Sequence, residues 1–289
     1  MLKNLNQVKT GYTHCGVFHS DDVFATALLR MINPNIEVVR VNKAPADSDD
    51  VIIFDIGLGE YDHHQPDRAV RPMEDGWYID KSNNEVKQIP YCSFGLLWRD
   101  YGRLLCPNPK AWKKVDHDLV IPTDRADNGA GISTLSNALG QLNPSWNGTA
   151  TSDEMFWKAE KVAEILLQSY IDRANAEVAA ESVVLSSPVI DGNILVLEQY
   201  IPWQTVVVEQ MPNILFVVHP SNRGGYAVQT VPTELGSFEK RKLFPIEWLG
   251  NPVEELGMFF CHTGNFTLSC HTQGQAIHVA QIAAGRTAA

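Results

Sequence analysis

The chain has 289 residues, 44% of them hydrophobic and 20% charged, with a formal net charge of −11. That is enough apolar material for a large core and, at about 100–200 residues per domain, for two domains. The acidic balance excludes a protein that coats nucleic acid nonspecifically, since such affinity comes from lysine and arginine displacing phosphate counterions, so a nucleic-acid partner has to be engaged locally.

Strand and helix signals alternate through the first half. A strand is expected over 12–18, a helix over 22–32 with Val23, Phe24, Ala27, Leu28 and Met31 on one face, and a second strand over 36–41. Val51-Ile52-Ile53-Phe54 is apolar at every position, the habit of a parallel strand covered on both faces. Residues 66–90 are rich in Asp, Asn, Arg, Pro and Gly and read as a surface loop with an irregular hairpin. Helices are expected over 93–105, 112–121 and 134–142, and then a long one. Thr151-Ser152-Asp153-Glu154 has the capping-box form, and Ala159, Ala163, Leu166, Tyr170, Ala174 and Val178 follow at spacings of three or four. From about 188 the pattern changes to short strands at 194–197, 214–218 and 226–230 and a closing helix over 275–284. The domains are therefore expected at 1–187 and 188–289, an α/β domain with a mainly parallel sheet flanked by helices and a smaller α+β domain.

The start, Met1-Leu2-Lys3-Asn4-Leu5-Asn6, lacks the apolar centre of a signal peptide, and no stretch approaches the roughly 20 apolar residues of a spanning helix, so a cytoplasmic protein without membrane attachment is expected. Cys15, Cys92, Cys106, Cys261 and Cys270 are an odd count without CxxC spacing, which suggests neither a disulfide framework nor a cysteine-only zinc site.

Metal-type ligands fall in four places where a strand or helix gives way to a loop: His14 to Asp22, Asp55, Asp62-His63-His64, and Asp124 to Asp127. In open parallel sheets functional groups collect beyond the carboxyl ends of the strands, so these segments would converge there, facing the positive end of the helix that opens near Asp22. Carboxylates and histidines so placed suit divalent metal beside a phosphate. Asp124 and Asp127 compete for the last ligand position, and either Asp62 or Asp124 could orient a histidine. Asp22 and Ser20 have a plainer reading as helix caps.

These residues resemble the DHH phosphoesterases, and within them the branch named for the melanocyte proliferation gene. The resemblance rests on Thr-His-Cys-Gly-Val-Phe-His-Ser-Asp-Asp at 13–22, Tyr-Asp-His-His-Gln at 61–65, Asp127-Asn128-Gly129, Ile201-Pro202-Trp203, the tract 226–232, and Ser-Phe-Glu-Lys-Arg-Lys at 237–242. It implies two α/β domains with a catalytic cleft between them, two divalent ions, typically manganese, and a 3′–5′ exonuclease acting on RNA or short oligonucleotides. His14, His19, Asp21, Asp55, His63 and Asp127 would be the metal ligands, with Asp55 bridging; His64 would touch the scissile phosphate, and Asp62 stands beside it. Arg241, Lys242 and His262 would contact substrate. His19 stands where many members have an aspartate, which makes the site less negative. The mixed carboxylate and imidazole set suits manganese, cobalt, iron or zinc better than magnesium. Two other readings use the same ligands: a pyrophosphatase or small-molecule phosphoesterase, and a non-catalytic metal-binding interaction protein. Homo-oligomerisation is left open.

Overall fold

Three short apolar runs pair in parallel to form the first sheet: β1 (Thr10–His14), β2 (Glu37–Val41) and β3 (Val51–Ile53), in the order β2-β1-β3. Thr10 pairs with both Glu37 and Val51, so β1 is central and its last residue, His14, ends opposite Val41. The computed structural model describes residues 2–285. Their contacts divide them into two compact units, Met1–Asn175 and Ala176–Ala289. The first is α/β; the second carries a mixed sheet.

β1 stops four residues short of the expected end because Gly16 takes a left-handed conformation (φ +89°) and turns the chain. α1 (Ser20–Ile32) follows, with Val23, Phe24, Ala27 and Leu28 fully buried. It packs on α2 (Ser93–Leu105), where Phe24 stacks on Phe94 with centroids 5.1 Å apart. Between them the polar stretch forms a two-stranded hairpin, β4 (Trp77–Asp80) with β5 (Glu85–Gln88). The single helix expected over 112–121 is instead α3 (Pro109–Val115), a π-helical turn over Asp116–Val120, and α4 (Ile121–Asp127). Pro122 has no N–H to continue an α-helical ladder, and the Ile121 N–H reaches back five residues to Asp116, which widens the helix by one turn before the proline. α5 (Thr134–Gly140) and the 35-residue α6 (Ser152–Ser186) complete the helices of this half, and the division between units falls within α6.

The second unit holds β6 (Val189–Ile190), β7 (Ile194–Val196), α7 (Gln204–Gln210), β8 (Phe216–Pro220), β9 (Tyr226–Thr230), β10 (Met258–Cys261), β11 (Thr267–Cys270) and α8 (Gln273–Ala283). The sheet order is β10-β11-β9-β8-β7-β6, antiparallel except for β7 with β8. Alternation along the strands sorts two cores. Ile194, Val196, Phe216, Val218, Val228 and Leu268 pack with Val279 and Ala280 of α8. Leu195 and Val217 face the other way, toward Trp203, Val206 and Val207 at α7.

Candidate metal centre

Most candidate ligand positions of the first unit lie at or just beyond the end of an element. His14 closes β1, Asp21 and Asp22 lie in the first turn of α1, Asp55 follows β3, and Asp127 is the last residue of α4. The loop carrying His19 is pinned on two sides. The Asn143 side chain brackets Phe18, accepting from its N–H (3.1 Å) and donating to its carbonyl (2.8 Å). Arg40 donates to the Gly16 carbonyl (2.8 Å) and to Asp153 (2.6 Å) with its guanidinium 4.3 Å from the Phe156 ring centre. Asp55 has a left-handed backbone (φ 55°), as do Gly57 and Leu58, and this turn folds the chain back so that the Asp55 N–H meets the Tyr61 carbonyl at 3.0 Å. His63 and His64 thereby arrive beside Asp55.

Asp55 is the centre of the arrangement. Its Oδ2 is 3.1 Å from His14 Nε2 and its Oδ1 is 3.2 Å from His63 Nε2. His14 Nε2 also lies 3.2 Å from Asp22 Oδ2, while His63 Nε2 lies 3.1 Å from Asp127 Oδ2 and 3.6 Å from Asp21 Oδ2. His19 groups with Asp21 and Asp127, their donor atoms within 4.8 Å of one another. The six ligand positions named from the sequence thus meet in one place, and a seventh joins them. Asp22 does cap α1, accepting from the His19 N–H at 2.9 Å, but its second oxygen faces His14. Nothing in the sequence separates those two duties of one carboxylate.

The hydrogen bonds fix which nitrogen each histidine presents. His14 Nδ1 lies 3.1 Å from the Cys15 carbonyl, which can only accept, so Nδ1 carries the proton and the Nε2 lone pair points at two carboxylates. For His63 the partner is Asn128 Oδ1 at 3.4 Å. That amide cannot be turned round, because its Nδ2 donates to the carbonyls of Pro90 (3.1 Å) and Asp124 (2.9 Å) and its Oδ1 also accepts from Arg68 (2.7 Å). His63 Nε2 is again left as a lone pair facing acids. Lone pairs aimed at carboxylates repel unless a proton or a metal ion lies between them.

The acids say the same. Asp21 and Asp22 are wholly buried, Asp55 is 3% exposed, and both Asp21 oxygens lack a hydrogen-bond partner among the described residues. Burial, then the charges of Asp55 and Asp127, push the Asp21 carboxyl well above its ordinary range. Burial works against ionisation of Asp55 too, yet hydrogen bonds from His14 and His63 outweigh it and hold that carboxyl below the usual range. His14 is pushed up to about 11, by Asp22 first and then Asp55. A buried carboxylate with no donor is costly, and a dication removes that cost. The residues present therefore fit divalent ions: His14, Asp22 and Asp55 form one group, and His19, Asp21 and Asp127 with His63 form another, Asp55 touching both.

Asp62 and Asp124 support this centre without entering it. Asp62 accepts from the Leu58 N–H (2.6 Å), the His64 N–H (3.1 Å) and His64 Nδ1 (2.6 Å), which leaves the Nε2 of the exposed His64 ring free. Asp124 is buried among other partners: it accepts from the Cys92 N–H at 2.9 Å and from Arg71 Nε, and burial raises its carboxyl to about 6 against the pull of Arg71. Arg71, 1% exposed in a stretch the sequence shows as polar loop, also forks onto Asp116 (2.8 and 2.9 Å) and lies 4.5 Å from the Tyr91 ring centre. Gly95 is required here, since a Cβ would sit 2.2 Å from Asp124 Oδ1. Ser93 Oγ donates to Asp55 at 3.1 Å, a support that no local sequence signal singles out.

In the second unit, Arg241 is not a free phosphate ligand. Its guanidinium donates to the carbonyls of Met211 (2.8 Å), Ile214 (3.0 Å), Val208 (2.9 Å) and Val207 (3.3 Å), closing the end of α7, so the expected substrate contact is replaced by a structural one. Lys242 is exposed next to it. His262 lines a cavity on the sheet together with His219 and several aromatic rings.

The family model described as "Uncharacterised protein family (UPF0160)", the MYG1 exonuclease group, matches residues 11–284. Among relatives, the MYG1 exonuclease of Mus musculus is 26% identical over 319 residues, covering 93% of this chain and 83% of its own. The MYG1 protein of Caenorhabditis elegans is 28% identical over 325 residues, covering 93% of each. That of Saccharomyces cerevisiae is 27% identical over 315 residues, covering 88% of this chain and 89% of its own. No solved structure matches.

Proposed function

We propose, from the premise that the chain belongs to the MYG1 exonuclease family, that it is a two-metal phosphodiesterase, a 3′–5′ exonuclease on RNA or short oligonucleotides that uses manganese. One observation carries the reading: Asp55 turns its two oxygens to two different histidine nitrogens, at 3.1 and 3.2 Å, each backed by further acids. That is the placement a carboxylate shared by two ions needs.

Divalent ions bound there supply Lewis-acid neutralisation of a phosphodiester and of its leaving oxygen. His14, Asp22 and Asp55 would hold one; His19, Asp21, His63 and Asp127, with Asp55 again, would hold the other. The imidazole content favours manganese over magnesium. Asp62 holds the His64 ring through Nδ1–H, so that the exposed Nε2 can take a proton and, once protonated, donate to a phosphate oxygen. Cys15, Asn128 and Ser93 orient His14, His63 and Asp55. With a net charge of −11, substrate is engaged locally at this centre and not through a general basic surface. Among the described residues no helix is long and apolar enough to cross a membrane, and cytoplasmic action is part of the proposal.

The test is an assay of purified protein with Mn²⁺ against 5′-labelled RNA and DNA, bis(p-nitrophenyl) phosphate and pyrophosphate, beside His63→Ala and Asp55→Ala. A ladder of shortening RNA is expected, with turnover in both variants down by orders of magnitude and circular dichroism unchanged. Phosphate release from pyrophosphate alone would replace this reading with a pyrophosphatase. Metal binding without turnover on any substrate would leave a metal-binding interaction protein.

A further inference from the structure

We infer that the cavity on the open face of the second unit's sheet is a nucleobase pocket that takes a nucleoside monophosphate; this rests on the exonuclease reading, of which such a monophosphate is the product. The cavity encloses about 620 Å³ and lies wholly within that unit. Ligand sites typically run from about 300 to 1,000 Å³. His219 of β8, Ala227 and Gln229 of β9, and Thr267 and Ser269 of β11 line it. Their neighbours Val218, Val228 and Leu268 point the other way, into the core beneath α8. The lining is therefore the sheet face that no helix covers at these positions.

His219 is the observation that calls for a ligand. It is 5% exposed, and its Nδ1 lies 2.8 Å from the Pro220 carbonyl, so Nδ1 carries the proton. Its Nε2 is then a buried lone pair, and among the described residues it has no hydrogen-bond partner. Leaving a buried acceptor unmatched is unfavourable, and an N–H brought by a ligand would match it. The opposite polarity is present in the same cavity. The Gly264 N–H donates to His262 Nδ1 at 2.8 Å, so His262 offers its Nε2–H as a donor. The Trp203 indole N–H donates to Gln229 Oε1 at 3.2 Å, which leaves the Gln229 amide NH₂ as a second donor. One acceptor and two donors match the edge of a nucleobase, which carries N–H groups beside carbonyl or ring-nitrogen acceptors.

The rest of the lining suits a flat ring. Phe259, Phe260 and Phe266 are 37–42% exposed and Tyr200 is 57% exposed, which makes an aromatic rim. Stacking on such rings accepts any base. Arg223 stands at the same cavity for the anionic end.

The test is calorimetric titration of the full chain, stripped of metal with chelator, with AMP, CMP, UMP and GMP against ribose 5-phosphate and inorganic phosphate, for wild type, His219→Phe and Phe266→Ala. His219→Phe keeps a ring in place and removes the acceptor; Phe266→Ala changes a half-exposed side chain and guards against misfolding of the first variant. Nucleotides are expected to bind at least about tenfold more tightly than ribose 5-phosphate, and each variant to erase most of that difference, about 1.4 kcal/mol per tenfold. Equal binding of ribose 5-phosphate, or no nucleotide binding by folded wild type, overturns the pocket. Manganese-dependent hydrolysis of bis(p-nitrophenyl) phosphate by the same preparations separates the two readings. Hydrolysis without nucleotide binding sinks the pocket alone, whereas nucleotide binding without hydrolysis upholds the pocket and sinks the exonuclease.

Discussion

Both units bury polar atoms that the protein leaves unmatched, but of different kinds. At the candidate metal centre of the first they are carboxylate oxygens, those of Asp21 together with single oxygens of Asp22 and Asp127; at the cavity of the second it is one imidazole nitrogen, His219 Nε2. The cost of an orphaned charge is much larger than that of an orphaned dipole. The first site therefore calls for a cation that neutralises it, and the second for no more than an N–H. The same logic of unmatched atoms, read with its sign and size, separates a metal centre from an organic-ligand pocket.

Metal removal should divide the two most sharply. A chelator is expected to abolish phosphodiester hydrolysis and, at metal concentrations about 100 times the dissociation constant beforehand, to withdraw about 2.7 kcal/mol of stability, read as a fall in Tm. Nucleotide binding should survive it. Activity that persists in chelator would erase the distinction. Next in size is Arg71→Met, which leaves Asp124 and Asp116 buried without their cation. Breaking such a pair costs about 3–5 kcal/mol, so chemical denaturation should register it while the second unit's ligand binding, measured below the transition, stays put.

Asp62→Ala removes the acceptor that fixes the His64 tautomer and is expected to lower turnover about 10–100-fold, the usual cost of losing an orienting partner. Wild-type turnover in that variant would strip His64 of its role.

The gentlest probe is pH. His14 rises from 6.5 to about 11 in the metal-free chain, held there by Asp22 and then Asp55. A histidine raised on folding stabilises that form fully below 6.5 and loses its contribution as pH climbs toward 11. Manganese needs the same Nε2 lone pair, so its affinity should move oppositely and strengthen with pH by about tenfold per unit for each proton displaced. Mixing metal and protein at pH 7.5 in weak buffer should release protons; no release would mean that His14 is not a ligand.

Much of the proposed metal centre's grouping could be read from the chain because its parts announce themselves locally. An apolar run ends in Asp55, a histidine pair follows a short turn, and α2 was expected over the same 93–105 that it occupies. Asp22 escaped because its local duty as a cap is sufficient to explain it. Arg71 escaped for a different reason: its partners lie 45 and 53 residues away, and the surrounding composition of Asp, Asn and Pro gives no hint of burial. Arg241 misled in the opposite sense. A basic run looks like a phosphate ligand until the carbonyls at the end of α7 come within reach, and those carbonyls belong to a helix, Gln204–Gln210, that the periodicity did not suggest. The proline that interrupts α3 and α4 was visible, but its consequence, a widened turn, is a matter of ladder geometry that composition does not encode.

The left-handed backbone of Asp55 narrows what selection can do at that position. Glycine would relax the main chain there and, by its greater ease in that region, make the fold sturdier. Asparagine would tolerate the turn as well as aspartate does, yet neither brings a pair of carboxylate oxygens to the two histidine nitrogens. Robustness and the proposed chemistry pull against each other at this single residue, and a lineage that drifted toward the sturdier choice would keep a well-folded protein without that carboxylate.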